Sequence, residues 1–249
     1  MAIILRPFRS VEKQLILNLK QYFLILVLII GLAPAKAQKA KVLNQSTHDD
    51  RAIHFGFCLG LNSMSFEVRP SFQNYLKDSL LADVGKPGTG FHIQVISNYR
   101  LGNYFDLRFL PGVAFGQRQL NFYKNNQLVS DKHKLESNFL EFPLLLKYKA
   151  KRLNNVRPYV ITGANVRYDL AKTFSEDDGV YIDLKNLDVY YEAGTGIDFY
   201  MPYFKMSIEL KLSYGLTNAL NKRSTGQPEF QNSIEKLNSK IWMLSFHFE

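Results

Sequence analysis

From Ala52 to its end, the chain repeats a period of two. Ile53, Phe55, Phe57, Leu59 and Leu61 are apolar, and His54, Gly56, Cys58, Gly60 and Asn62 between them are small or polar. Near the end, Trp242, Leu244, Phe246 and Phe248 oppose Met243, Ser245 and His247. Such alternation dictates a strand with two unlike faces. Runs of this kind cover residues 53–62, 91–101, 105–116, 140–148, 160–170, 189–198, 204–214 and 242–248. They predict eight strands, and no helical period competes with them after residue 37.

The connections between the runs alternate in length. Long gaps span 67–88, 117–137, 171–186 and 217–239; short ones span 101–104, 150–157 and 200–203. One face of the runs carries glycines and paired charges, and the other is apolar or aromatic with a few Thr, Ser and Ala. Water penalises a continuous band of exposed Phe, Leu and Ile, whereas lipid accepts it. A soluble lipocalin-like binder places its apolar residues inside instead. The expected fold is all-β: an eight-stranded antiparallel up-and-down transmembrane β-barrel with long external loops and short periplasmic turns. Tyr99, Tyr104 and Phe105, Tyr148 and Tyr159, Phe199, Tyr200, Tyr203 and Phe204, and finally Phe246 and Phe248 gather near the short turns. They are read as the lower aromatic girdle. Eight strands enclose an interior only wide enough for side chains. The inward face is therefore predicted to hold a lumen charge network of Asp106, Arg108, Glu141, Lys147, Arg167, Asp169, Glu192, Asp198, Lys205, Glu209 and Lys211. Paired charges of that density predict a plugged interior, not a conduit.

The first 37 residues follow a different pattern. Arg6, Arg9, Lys13 and Lys20 precede an apolar run over 22–32, and Ala33-Pro-Ala-Lys-Ala37 follows it. A basic start, a short apolar run and an A-x-A site are the parts of a secretory signal peptide. The expected division is 1–37 signal peptide, 38–51 a polar and loosely held periplasmic N-terminal segment, and 52–249 the outer-membrane β-barrel. The formal charge of +9 is concentrated here: five basic residues and Glu12 give this segment +4 and leave +5 for the rest. That balance argues against a nucleic-acid partner. A mean hydropathy of −0.16 excludes a polytopic helical membrane protein. The single cysteine, Cys58, excludes a disulfide framework.

Candidate chemistry is sparse. Ser245 and His247 share a face, and Glu209 on the neighbouring run could complete a triad on paper, but no G-x-S-x-G elbow is present. The expectation is therefore no enzyme, with a barrel hydrolase as an alternative. His54 and His92 are expected to face each other inside the barrel, without a third metal ligand. Gly56, Gly60, Gly194 and Gly196 have no following helix that would make a phosphate loop, and are read as relieving crowding. Glu176, Asp177 and Asp178 lack the D-x-D spacing of a calcium loop. No cofactor, metal or small-molecule substrate is expected.

Three segments carry a family resemblance: Ile53-His-Phe-Gly-Phe-Cys-Leu-Gly-Leu-Asn62, Leu107-Arg-Phe-Leu-Pro-Gly-Val-Ala-Phe-Gly-Gln-Arg118 and Leu140-Glu-Phe-Pro-Leu-Leu-Leu-Lys-Tyr148. They resemble the outer-membrane β-barrel family of gliding and protease-secreting bacteria, and the first two resemble its PorT family, part of the type IX secretion system. The third, with Arg157-Pro-Tyr-Val, is similar to the general barrel signature. The resemblance implies a barrel in the outer membrane of a Gram-negative bacterium, needed to secrete cargo carrying a C-terminal domain. Its implied partners are outer-membrane lipid and other type IX secretion components. A free-standing structural or surface barrel is the alternative.

Overall fold

A computed structural model describes residues 42–71, 81–124, 127–171, 182–221 and 233–249. The signal-peptide segment 1–37 and the loop acids Glu176, Asp177 and Asp178 lie outside the described residues. After a short 3-10 turn at His48–Asp50 come ten strands: β1 (Ile53–Pro70), β2 (Leu81–Val84), β3 (Gly88–Arg100), β4 (Phe105–Phe109), β5 (Gly112–Lys124), β6 (Gln127–Lys149), β7 (Val156–Asp169), β8 (Leu187–Tyr200), β9 (Lys205–Gly215) and β10 (Ile234–Phe248).

All pairings are antiparallel, and the sheet closes because β1 pairs with both β10 and β3. β4 and β5 are one stave interrupted at Leu110 and Pro111: both pair with β3 on one side and β6 on the other. Pro111 has no N–H to give a ladder, so the strand breaks there. The neighbours bridge the break: Val95 N–H donates to the Pro111 carbonyl at 2.9 Å, and Leu110 N–H to that of Pro143 at 3.2 Å. Counting that stave once and setting aside β2, which lies along β5 only, the barrel has eight staves. Closure removes the unpaired edges that lipid would not tolerate.

Three of the long gaps prove shorter than expected. In 67–88 and 117–137 β1 runs on to Pro70, β2 pairs with β5, and β5 and β6 continue toward each other as one long hairpin. Likewise β10 already starts at Ile234, inside the gap expected over 217–239. The extensions of β1 and β5 keep the phase of their strands and reverse the polarity of the faces. Within the barrel wall, even-numbered positions of β1 and β5 turn polar or small groups inward. Further along, Met64 and Phe66 on β1 and Leu120 and Phe122 on β5 turn inward with the same parity. Phe66, Leu120 and Phe122 join Ala82, Ile182, Leu184, Ala219, Leu220, Ile234 and Leu237 in an apolar cluster at the long-loop end, and Met64 packs with Ala114, Phe139, Tyr190, Ile241 and Met243 in a second one. A strand that leaves lipid for water must exchange its apolar outside for an apolar inside.

The wall itself is apolar outward. Phe55, Leu61, Val95, Leu144, Val160, Tyr191, Leu210 and Trp242 are all exposed, which marks the lipid-facing band.

Candidate functional site

Alternation along each strand carries polar side chains to the lumen. All eleven residues of the expected charge network lie there, none more than 4% exposed. They form three linked groups.

At the short-turn end, Lys147 Nζ donates to both carboxylate oxygens of Asp198 at 2.8 Å, and Ser207 Oγ donates to the same carboxylate at 2.6 Å. Arg108 Nη2 donates to Glu249 at 2.7 Å and Lys205 Nζ to the other Glu249 oxygen at 2.6 Å. Lys149 and Asn98 hold Asp106 at 2.7 and 3.1 Å.

Midway, Glu209 accepts the Tyr159 hydroxyl at 2.8 Å, with Arg108 and His247 each 3.7 Å away. Above it Arg167 is the hub: Nε donates to Glu141 at 2.6 Å, Nη2 to Glu192 at 2.9 Å and Nη1 to Ser213 at 2.8 Å. Lys211 reaches the second Glu192 oxygen at 2.9 Å, and Gln94 the second Glu141 oxygen at 2.6 Å.

At the long-loop end, Arg118 donates to Ser137, Ser239 and Asp169 at 2.8, 2.9 and 3.2 Å, and its guanidinium lies 4.4 Å from the Phe66 ring centroid.

Seven cations (Arg108, Arg118, Lys147, Lys149, Arg167, Lys205, Lys211) thus pair with seven carboxylates (Asp106, Glu141, Asp169, Glu192, Asp198, Glu209, Glu249). Arg118, Lys149 and Glu249 were not among the expected network. Lys149 follows Lys147 in phase on β6, and Arg118 follows Arg108 in phase through β5, so the parity that placed the others also placed these. Buried charges cost several kcal/mol each in desolvation unless paired and hydrogen-bonded. Here nearly every one has both. The glycines make room for these groups. A methyl on Gly196 would lie 2.5 Å from the Tyr159 hydroxyl, and one on Gly60 would overlap the His92 imidazole.

Several expectations need correction. Tyr159 and Tyr200 are not girdle residues: both are buried and point inward, Tyr159 onto Glu209 and Tyr200 onto Asp49 at 2.8 Å. His54 and His92 do not meet. His54 stacks on His48, 4.2 Å between centroids, and its Nε2 donates to the His48 carbonyl at 2.6 Å. His92 Nε2 instead shares a 2.9 Å hydrogen bond with Ser245 Oγ. The paper triad is therefore split: Ser245 is bonded to His92, while His247 lies beside Glu209 and Cys58. No group of three metal-ligating side chains is found among the described residues.

The N-terminal segment, read as loosely held, is tied down over residues 42–51. Asn44 N–H donates to Asn155 Oδ1 at 2.9 Å and its amide to the Tyr200 carbonyl at 3.0 Å; Arg152 donates to the Asn44 carbonyl. Asp49 receives Arg157 at 3.2 Å and the Tyr200 hydroxyl. The Arg152 guanidinium stacks 3.6 Å from the Tyr200 ring centroid. The polar composition that suggested disorder supplies the hydrogen bonds that dock this segment on the short-turn end.

Among solved structures, the chain is similar to Ail, the attachment invasion locus protein of Yersinia pestis (12% identity, 80% of this chain and 98% of that one, TM-score 0.36). It is also similar to neisserial surface protein A (11%, 79% and 98%, 0.41) and to the N-terminal β-barrel domain of Pseudomonas aeruginosa OprF (14%, 77% and 97%, 0.31). No curated protein sequence matches it. The model of the outer membrane protein beta-barrel domain matches residues 36–221, most of the chain. The chain belongs to that family and is an outer-membrane protein of a Gram-negative bacterium.

Proposed function

We propose that this protein is a non-enzymatic accessory component of the type IX secretion system, acting through protein contacts at the two ends of its barrel. The observation that supports contact over conduction is the filled lumen. Seven cations and seven carboxylates interlock across it, and an eight-stranded barrel has no spare diameter beside them. Cargo does not pass through such an interior; its role in export lies at its surfaces. The secretion context rests on the PorT-like segments 53–62 and 107–118. The expected partners are other type IX components, reached through the docked N-terminal segment on the periplasmic side or the long strand extensions outside. Deleting the gene and assaying export of C-terminal-domain cargo tests this: cargo should stay in the periplasm, and export should return with the wild-type gene. Normal export in the deletion strain contradicts the proposal and leaves the free-standing surface barrel.

A further inference from the structure

At the periplasmic rim, beside the docked N-terminal segment, lies a cavity of about 330 Å³ lined by Arg100, Lys149, Lys151, Arg152 and Arg157, with Asp49 and Tyr104. We propose that this cavity binds a phosphate group. Asp49 is the one carboxylate in its lining. It already serves two guanidinium groups, Arg157 at 3.2 Å and Arg152 at 3.8 Å, besides the Tyr200 hydroxyl. Lys149 is spent on Asp106. Arg100 has one ion-pair partner, the exposed Asp50 3.7 Å away, besides neutral acceptors on Asn103 and Gly102 at 2.9 and 3.4 Å, and Lys151 makes no ion pair among the described residues. Positive charge is therefore in surplus around a concave space.

A second observation points to a missing acceptor. The Nε of Arg157 is buried and meets no hydrogen-bond acceptor among the described residues. A buried donor left unmade is destabilising, the more so where the group is charged. Phosphate offers several acceptor oxygens with negative charge, and guanidinium forks match their geometry.

The position narrows the source. Tyr104 lines the cavity and lies 6.5 Å from Tyr148, which packs on Phe105 at 5.1 Å. Exposed aromatics of this kind sit at headgroup depth. The phosphate could arrive on an anionic phospholipid of the periplasmic leaflet or free in the periplasm; the recognising chemistry is the same.

The test uses the mature chain in a maltoside detergent, which carries no phosphate. Short-chain phosphatidylglycerol and inorganic phosphate are titrated separately and followed by phosphorus NMR. Saturable binding is expected, weakened at least ten-fold in Arg100→Ala/Lys151→Ala and several-fold in Lys151→Ala alone. Lys151 is exposed in the 150–155 turn, so the single variant keeps the fold, which heat-modifiable gel mobility verifies. Lys86→Ala, an exposed change away from the cavity, should bind like wild type. Ten-fold tighter binding of phosphatidylglycerol identifies the lipid as source, and equal affinities identify free phosphate. Absence of saturable binding in both arms, or equal losses in Lys86→Ala and Lys151→Ala, overturns the proposal.

Discussion

Arg108 on β4 and Glu249, which follows β10, are 141 positions apart in the chain and bond at 2.7 Å across the lumen. Glu249 also takes Lys205, and its backbone exchanges hydrogen bonds of 2.8 and 2.9 Å with that residue. One carboxylate thus ties the last strand to two others.

Glu249→Leu should therefore leave the buried Lys205 unpaired and Arg108 with only the more distant Glu209, 3.7 Å away. Removing one partner of a buried ion pair costs about 3–5 kcal/mol. The expected outcome is a loss of that size in urea unfolding from lipid vesicles. A combined Glu249→Leu/Lys205→Met variant should lose less than the sum of the singles. Equal additivity would show that the two side chains act independently.

Adjacent residues on β9 separate the two faces. Leu210 is 48% exposed on the outer wall, and Glu209 is fully buried inside. Leu210→Arg puts a charge toward lipid and should cost roughly 2–4 kcal/mol. Glu209→Gln keeps an acceptor for the Tyr159 hydroxyl, and Arg108 and His247 stand off at 3.7 Å, so it should cost about 1 kcal/mol. The reverse order in the same unfolding assay would mean that the faces are exchanged, since a one-residue slip turns every side chain over.

The apolar cluster at the long-loop end should be separable from the barrel. Leu237 is completely buried there. Leu237→Ala should cost about 2–5 kcal/mol locally. Added protease should then cut the external extensions of intact cells faster, while the heat-modifiable barrel remains. Loss of the barrel itself would show that the extensions and the wall fold as one unit.

The docked N-terminal segment should loosen in acid. His48 is pushed down to about 4, first by burial and then by the nearby Lys205 and His54, against the opposing pull of Glu249 and Asp49. Released from the barrel, its imidazole takes the ordinary value near 6.5. The undocked segment therefore binds the extra proton between those values. Docking is at full strength above about pH 6.5 and weakens as pH falls toward 4. Amide exchange over residues 42–51, corrected for intrinsic rates, should rise between pH 7.5 and pH 5. His48→Asn should flatten the change.

Much of this was legible in the sequence because lipid imposes a simple rule on each strand. Leu210 and Glu209, or Leu144 and Lys147, betray their faces by chemistry alone. Legibility ends where the rule changes. Beyond Asn62 on β1 and Gly116 on β5 the outward residues become Ser63, Ser65, Gln119 and Asn121, polar like a loop, while the apolar residues move inside. A reading tuned to apolar-outward strands stops there and misses Arg118. Tyr159 and Tyr200 escape the pattern for a different reason. Composition near a short turn cannot tell a girdle tyrosine from a lumen tyrosine, but strand parity can. The docking of residues 42–51 rests on long-range partners such as Asn155 and Tyr200, which no local pattern announces.

Ion pairs seal the lumen, and planar-bilayer conductance of the reconstituted barrel reads that seal. Only leak-level current is expected across a range of voltages. A stable open channel of porin size would contradict it.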